Sequence, residues 1–262
     1  LAGVRALLDA HPVAAVILEP AAARSMVAPT DPAFLRALRE LTRARGVVLI
    51  FDEVVTGFRL APGGAQEWFG VTADLTCLAK AVAGGLPGAA LVGRADLLDV
   101  IGFSGDARRD RTRRVADQGT YSATPLVAAA GVAALEILQT GEVQRELNRL
   151  GDRLREGMSQ VLETRGVRGC VYGLGSTFRI HLGADARELG LLDYTLDVAR
   201  LERGMGPLGA ALHLAMLVNG VDYNRGSAVG WLNGGMTDAD VDRMVEAFDR
   251  SLGRLREEGR LG

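Results

Sequence analysis

The sequence predicts an α/β chain: a mostly parallel sheet forms a first, larger part, and a smaller α+β part follows. Three observations predict it. A β-rich run, Val13 to Leu18, is followed by an amphipathic helix pattern and then by a second apolar run, Val47 to Phe51, which is the order of a right-handed parallel crossover. Both runs end in an acid, Glu19 and Asp52, at the carboxyl end where ligand crevices open in such sheets. From Glu142 the texture changes to a long Arg/Glu-rich helix with short strands after it. At 262 residues and 48% apolar composition the chain can bury a sizeable core, as one large or two smaller domains. We expect the division near residue 141, giving segments 1–140 and 141–262.

Taken in order, Val4 to Asp9 reads as helix, and Val13 to Leu18 as a buried strand closed by Glu19-Pro20. Asp31-Pro32 supplies an N-cap with proline at the first helical position. Phe34, Leu35, Leu38 and Leu41 then form one apolar stripe, which Gly46 ends. Leu75 to Leu78 is a further strand, and Gly84 to Gly88 a turn into a strand at Ala89 to Val92. Pro125 opens an Ala-rich helix to about Gln139. In the second part come a helix carrying Leu147, Leu150, Leu154, Met158, Val161 and Leu162, strands at Cys170–Leu174 and Thr177–His181, a helix at Leu208–Val218 and a strand at Val229–Leu232. Thr237 caps the last helix, whose Val241, Met244, Val245, Phe248, Leu252 and Leu255 share a face.

A net charge of −2 argues against a dedicated nucleic-acid binder, and the Arg108–Arg114 run, flanked by Gly102–Asp106 and Asp117, reads as a solvated surface loop. Cys77 and Cys170 are too few for a disulfide framework, and His11, His181 and His213 lack metal-ligand spacing, fitting turn or core roles. No run approaches the ~20 apolar residues of a membrane span. We therefore expect no metal, no nucleic acid, no membrane and a cytoplasmic location.

The chemistry concentrates on one amine. Of 30 basic residues, 29 are arginine and one is lysine, Lys80. Arginine is charged at any working pH, whereas lysine can lose its proton and attack a carbonyl, so the sole lysine points to Schiff-base chemistry. A drift toward arginine that spared one exposed lysine is the alternative. An apolar strand ending in Asp52-Glu53 also occurs in P-loop nucleotidases, but those need a glycine-rich loop ending in Lys-Ser or Lys-Thr, and Lys80 is followed by Ala81. The remaining reading is a pyridoxal phosphate (PLP) site. Lys80, in a dry cleft, would hold the cofactor aldehyde; Asp52 would keep the pyridine nitrogen protonated. Val54, on the same face of the extended segment as Asp52, would pack on the ring.

The segments Leu49–Arg59 (LIFDEVVTGFR), Gly63–Glu67 (GGAQE), Asp74–Lys80 (DLTCLAK) and Gly119–Leu126 (GTYSATPL) occur in that order. With Ile17–Pro20 and Met236–Asp242 they resemble class III aminotransferases, in the branch containing glutamate-1-semialdehyde aminomutase. The resemblance implies PLP-dependent transferase fold type I and a homodimer with shared active sites. Lys80 matches the Schiff-base lysine, Asp52 the pyridinium partner, Val54 the residue under the ring, and Thr120 the threonine that reaches the neighbouring subunit's cofactor phosphate. Glu19 falls on the family's Glu-Pro strand end, as a supporting partner or a structural ion pair. Gly63 to Phe69 reads as scaffold. Thr124 stands where many relatives have Asn. The family's Gly/Ser-rich phosphate loop and ring-stacking aromatic have no counterpart, so the chain reads as the C-terminal portion of such an enzyme.

The implied activity is amino transfer between a small-molecule donor, an amino acid or amine, and a keto or aldehyde acceptor. Two alternatives stay open: an aminomutase using the same residues, and an inactive fragment or scaffold relative. Arg225, in Asp222–Gly226, is a candidate for a substrate carboxylate, with a solvent-facing turn arginine as the other reading.

Overall fold

The computed structural model describes residues 1–21, 28–116, 119–120, 122–226 and 228–261. The chain divides into two compact units, Leu1–Pro20 with Pro32–Gly141, and Ala21–Asp31 with Glu142–Gly262.

In the first unit, helix α1 (Ala2–Ala10) precedes β1 (Ala15–Leu18); α2 (Pro32–Arg45) then leads into β2 (Val48–Asp52). A short α3 (Gly64–Phe69) precedes β3 (Leu75–Ala79), and a 3₁₀ turn, Lys80–Ala83, leads toward β4 (Ala89–Gly93). Helices α4 (Ala95–Leu98), α5 (Ala107–Thr112) and α6 (Pro125–Leu138) follow. The sheet runs β1-β2-β3-β4, with β1, β2 and β3 parallel and β4 antiparallel to β3. The antiparallel edge has a simple cause: a parallel return needs a crossover of roughly a dozen residues or more, and the link from Ala79 to Ala89 is a tight turn through left-handed Gly84 and Gly85. Leu35 and Leu38 of α2 pack on Leu49 and Phe51 of β2 as the centre of this unit's core.

Asp74 ties these elements together. Its carboxylate accepts from Arg39 at 2.8 Å, the Leu49 amide at 2.8 Å and Arg94 at 3.2 Å. Burial alone would push the carboxyl up, but these donors outweigh it and hold it below the usual carboxylate range. A depressed pKa stabilises the fold at pH values above the unfolded-state value of ~4, and that stability is lost as pH falls through the lower folded value. Asp74→Asn is therefore expected to lose about 2–3 kcal/mol at pH 7 in urea unfolding, with a shallower loss than the parent between pH 5 and 2.

The Arg108–Arg114 run departs from the expected loop. Most of it is helical, in α5, because Asp106 caps it by accepting from the Arg108 and Arg109 amides. The signal was present in the sequence as an Asp two positions before the run. Asp117, expected to flank it, lies outside the described residues. Helix α6 is apolar apart from Glu136, yet Leu126, Val132 and Ile137 are exposed, an arrangement typical of faces that another surface covers.

In the second unit, α7 (Glu142–Arg165) and α10 (Asp238–Glu257) pack on the antiparallel sheet β5 (Gly169–Tyr172), β6 (Thr177–Leu182) and β7 (Val229–Trp231). Helices α8 (Val198–Arg203) and α9 (Gly206–Val218) lie between β6 and β7 in the chain. Leu150, Leu154, Met158 and Leu162 of α7 meet Val241, Phe248 and Leu252 of α10 in one core. Gly151 permits the close approach of α7: a Cβ there would lie 2.1 Å from the Gly175 carbonyl oxygen. Thr237 starts α10, with the Asp240 carboxylate accepting from its amide and hydroxyl, both at 2.8 Å. Among the described residues no single helix is long and apolar enough to cross a membrane, and no cluster of three or more His, Cys, Asp or Glu could hold a metal ion.

Candidate active site

The alternation in β2 buries Leu49 and Phe51 and carries Asp52 to the strand's carboxyl end, half-buried. Parallel pairing sets Asp52 opposite Cys77 of β3, and Lys80 follows directly after β3. Lys80 Nζ lies 3.5 Å from the Val54 carbonyl oxygen, while the Val54 amide donates to Asp52 Oδ1 at 3.1 Å. Val54 thus links the amine and the carboxylate through its own backbone. Glu19, half-buried, stands one position beyond the Leu18–Phe51 pair of β1 and β2, at the same end of the sheet as Asp52. Asp52 is felt by its neighbour: burial, and then the Asp52 charge, push the Cys77 thiol up.

Lys80 has φ = 54°, in the left-handed region that a side chain other than glycine's enters only at a cost. Strain of this kind persists where the surroundings impose it and clusters at functional positions.

Two expectations need correction. The lysine was placed in a dry cleft, but Lys80 is exposed: the 3₁₀ turn begins at the sheet's edge, and the described residues of this unit do not close over the amine. Val54 was placed in an extended segment on the Asp52 face, but the strand ends at Asp52 and Val54 lies in a turn, its amide bent back onto the carboxylate. Val54 and exposed Thr120 do meet on one feature, an open, largely apolar groove of about 1100 Å³ that Cys77 also lines. Asp52 and Lys80 are not among its lining residues. Tyr121, within the matched segment, lies outside the described residues. Arg225 belongs to the second unit, exposed in the turn after Asn224, and has no ion-pair partner among the described residues.

Sequence reasoning passed over Glu53, which is 1% exposed. Its carboxylate accepts from the Ala65 amide at 2.6 Å, Thr56 Oγ1 at 2.9 Å and the Gln66 amide at 3.2 Å, anchoring the start of α3. Burial pushes its carboxyl above the usual range against these bonds. Gly64, at φ = 70°, is required beside it, since a Cβ would fall 2.3 Å from Glu53 Oε2. Gln66 extends the scaffold by donating to Thr76 at 2.9 Å and accepting from the Ala73 amide at 2.9 Å. Glu53→Ala leaves three donors without their acceptor, so a loss of about 3 kcal/mol is expected in urea unfolding. Unchanged stability would show that the bonds carry nothing.

The sequence pattern of the family Aminotransferase class-III matches residues 3–205. A glutamate-1-semialdehyde 2,1-aminomutase of Thermomicrobium roseum is 36% identical over 244 residues, covering 93% of this chain and 53% of its own length. An omega-transaminase from Sphaerobacter thermophilus superposes with a TM-score of 0.83 at 34% identity, over 97% of this chain and 56% of that one. A transaminase solved with PLP bound superposes at 0.79 and 29% identity, over 98% and 56%. The chain therefore spans about half the length of these relatives. The transaminase architecture extends over nearly all of it, as the fold type I expectation required. Sequence pattern and architecture together make this chain a member of the class-III aminotransferase family.

Proposed function

We propose that the chain is the lysine-bearing part of a PLP-dependent aminotransferase, with residues 1–140, apart from 21–31, in the cofactor-binding large domain and 141–262, joined by 21–31, forming the small one. The observation that carries the reading is the Lys80–Val54–Asp52 arrangement: one amine and one carboxylate, linked through one backbone unit at the carboxyl end of adjacent parallel strands. The residues fit the cofactor. Lys80 would hold it covalently, Asp52 would hold the proton on its pyridine nitrogen, and Val54 would pack on its ring; Thr120 would bind its phosphate across the subunit boundary, and Glu19 would support Asp52 from β1. Bound there, PLP supplies an electron-accepting ring for the pair left when a substrate Cα proton departs. Once the substrate amine has displaced it from the cofactor, Lys80 Nζ would move that proton as general base and then general acid. Arg225 is assigned to a substrate carboxylate, paired two bonds to two oxygens.

The apolar surface of α6 supports a homodimer, and small soluble substrates fit work in the cytoplasm. Borohydride reduction of PLP-loaded protein, with peptide mapping, tests the site: label on Lys80 is expected, and label elsewhere or none rejects it.

Intramolecular transfer is favoured by one specific observation, the likeness to the Thermomicrobium roseum aminomutase. Incubation with a separate donor and acceptor distinguishes the two, because only a transaminase releases a keto product from the donor.

A further inference from the structure

We infer that helix α6 sets the position of the Lys80 amine, and that Gly131 is the positioning residue through which it does so. The starting point is the backbone of the lysine. Lys80 has φ = 54°, a conformation that costs free energy and persists where the surrounding chain imposes it. Two anchors impose it here. On one side, Ala79 is held in the sheet opposite Ala89 of the antiparallel strand β4. On the other, the 3₁₀ turn Lys80–Ala83 lies against α6, main chain to main chain.

The closeness of that second contact is set by two glycines. A Cβ at Gly131 would fall 2.6 Å from the Val82 carbonyl oxygen, and a Cβ at Gly84 would fall 2.4 Å from the Ala130 carbonyl oxygen. Each glycine thus faces the other segment's backbone, and Gly131 is buried in the contact. Gly84, at φ = 60°, closes the turn by donating its amide to the Ala81 carbonyl at 3.1 Å. At the far end of the same loop, Val127 of α6 reaches Gly88, where a Cβ would fall 2.6 Å from Val127 Cγ1.

Ala79 and Val82 are therefore fixed by different elements, and only Lys80 and Ala81 lie between them. The dihedrals of so short a link are dictated from both ends, which fixes where the lysine side chain begins. From there Nζ lies 3.5 Å from the Val54 carbonyl oxygen, and the Val54 amide holds Asp52. An alanine at position 131 displaces one anchor without altering Lys80, Val54 or Asp52. The 2.6 Å approach must open toward the 3.4 Å of ordinary contact, and the atom in the way is backbone that cannot rotate aside. A misplacement of about 1 Å at a reacting group can cost roughly a hundredfold in rate. Alanine is also the better helix former, so the substitution favours α6 while it displaces the turn. That the displaced amine carries the cofactor rests on the Lys80 reading; the bracing does not.

The test uses the single lysine. In the full chain grown on ¹³C-lysine, one Cα and one Cε resonance report the backbone and the amine of Lys80 without any cofactor. Gly131→Ala is expected to move both. It should also slow attachment of PLP to Lys80 at least tenfold, followed by borohydride trapping over time. Ala133→Gly, at an exposed position of α6, weakens the helix without touching the turn and should leave the resonances and the attachment rate at parental values. Val127→Ala, which withdraws the contact at Gly88, should move the same resonances less, and it carries the test if Gly131→Ala does not fold. Unmoved resonances, resonances moved equally by Ala133→Gly, or attachment at the parental rate in a Gly131→Ala chain that labels Lys80 overturn the inference. Moved resonances in a chain whose parent takes no label at Lys80 uphold the bracing and reject the cofactor reading, so the two failures are told apart.

Discussion

Lys80→Ala is expected to lower amino-transfer turnover at least ~10³-fold and to abolish borohydride-stable labelling, because one nitrogen both carries the cofactor and moves the proton. Lys80→Arg is the sharper comparison: it keeps the positive charge in a chain that otherwise uses arginine throughout, yet a guanidinium cannot give up its proton to form the bond. Turnover in Lys80→Arg within tenfold of the parent would end the proposal. The backbone offers a readout that does not depend on activity. Lys80 sits at φ = 54°, so glycine there escapes a steric cost that alanine retains. Lys80→Gly should therefore resist urea by about 1 kcal/mol more than Lys80→Ala, while both are inactive. Equal stability would mean that the turn is not strained in solution.

Asp52→Asn should leave the cofactor attached to Lys80 but reduce turnover about 10²-fold or more, since the amide keeps the shape and loses the charge that holds the pyridine proton. A second consequence is legible at Cys77. Its thiol is pushed up by burial and by the Asp52 charge, so neutralising Asp52 should lower the thiol pKa and speed alkylation at pH 8. Cys170 provides the internal control, since burial pushes it up to about 11 and Asp52 does not act on it. An unchanged Cys77 rate, together with near-parental turnover, would remove Asp52 from its assigned role.

The parallel order β1, β2, β3, the long helices of the second unit and the position of the lysine just after a strand were all legible along the chain. Each rests on a pattern contained within about twenty residues: apolar period two, apolar period 3.6, or a cap and a stop. The Arg108–Arg114 run was misread only because the Asp106 cap was overlooked. Exposure is another matter. Whether Lys80 is covered depends on chain far from it in sequence, and so it emerged as an exposed amine rather than a sheltered one. Val54 departs from its expected placement for a related reason, since a strand's end is set by what its last carboxylate binds.

By itself, the sequence determined that a lone lysine would follow one parallel strand and an aspartate would end its neighbour, because strand order and the alternation of side chains are local and periodic properties. Only the tertiary structure decided what Glu53 anchors, and that the Lys80 turn rests on Gly131 of α6. Those juxtapositions join residues more than ten positions apart. Their free energy comes from hydrogen bonds and close contacts brought together by packing, which no single segment carries.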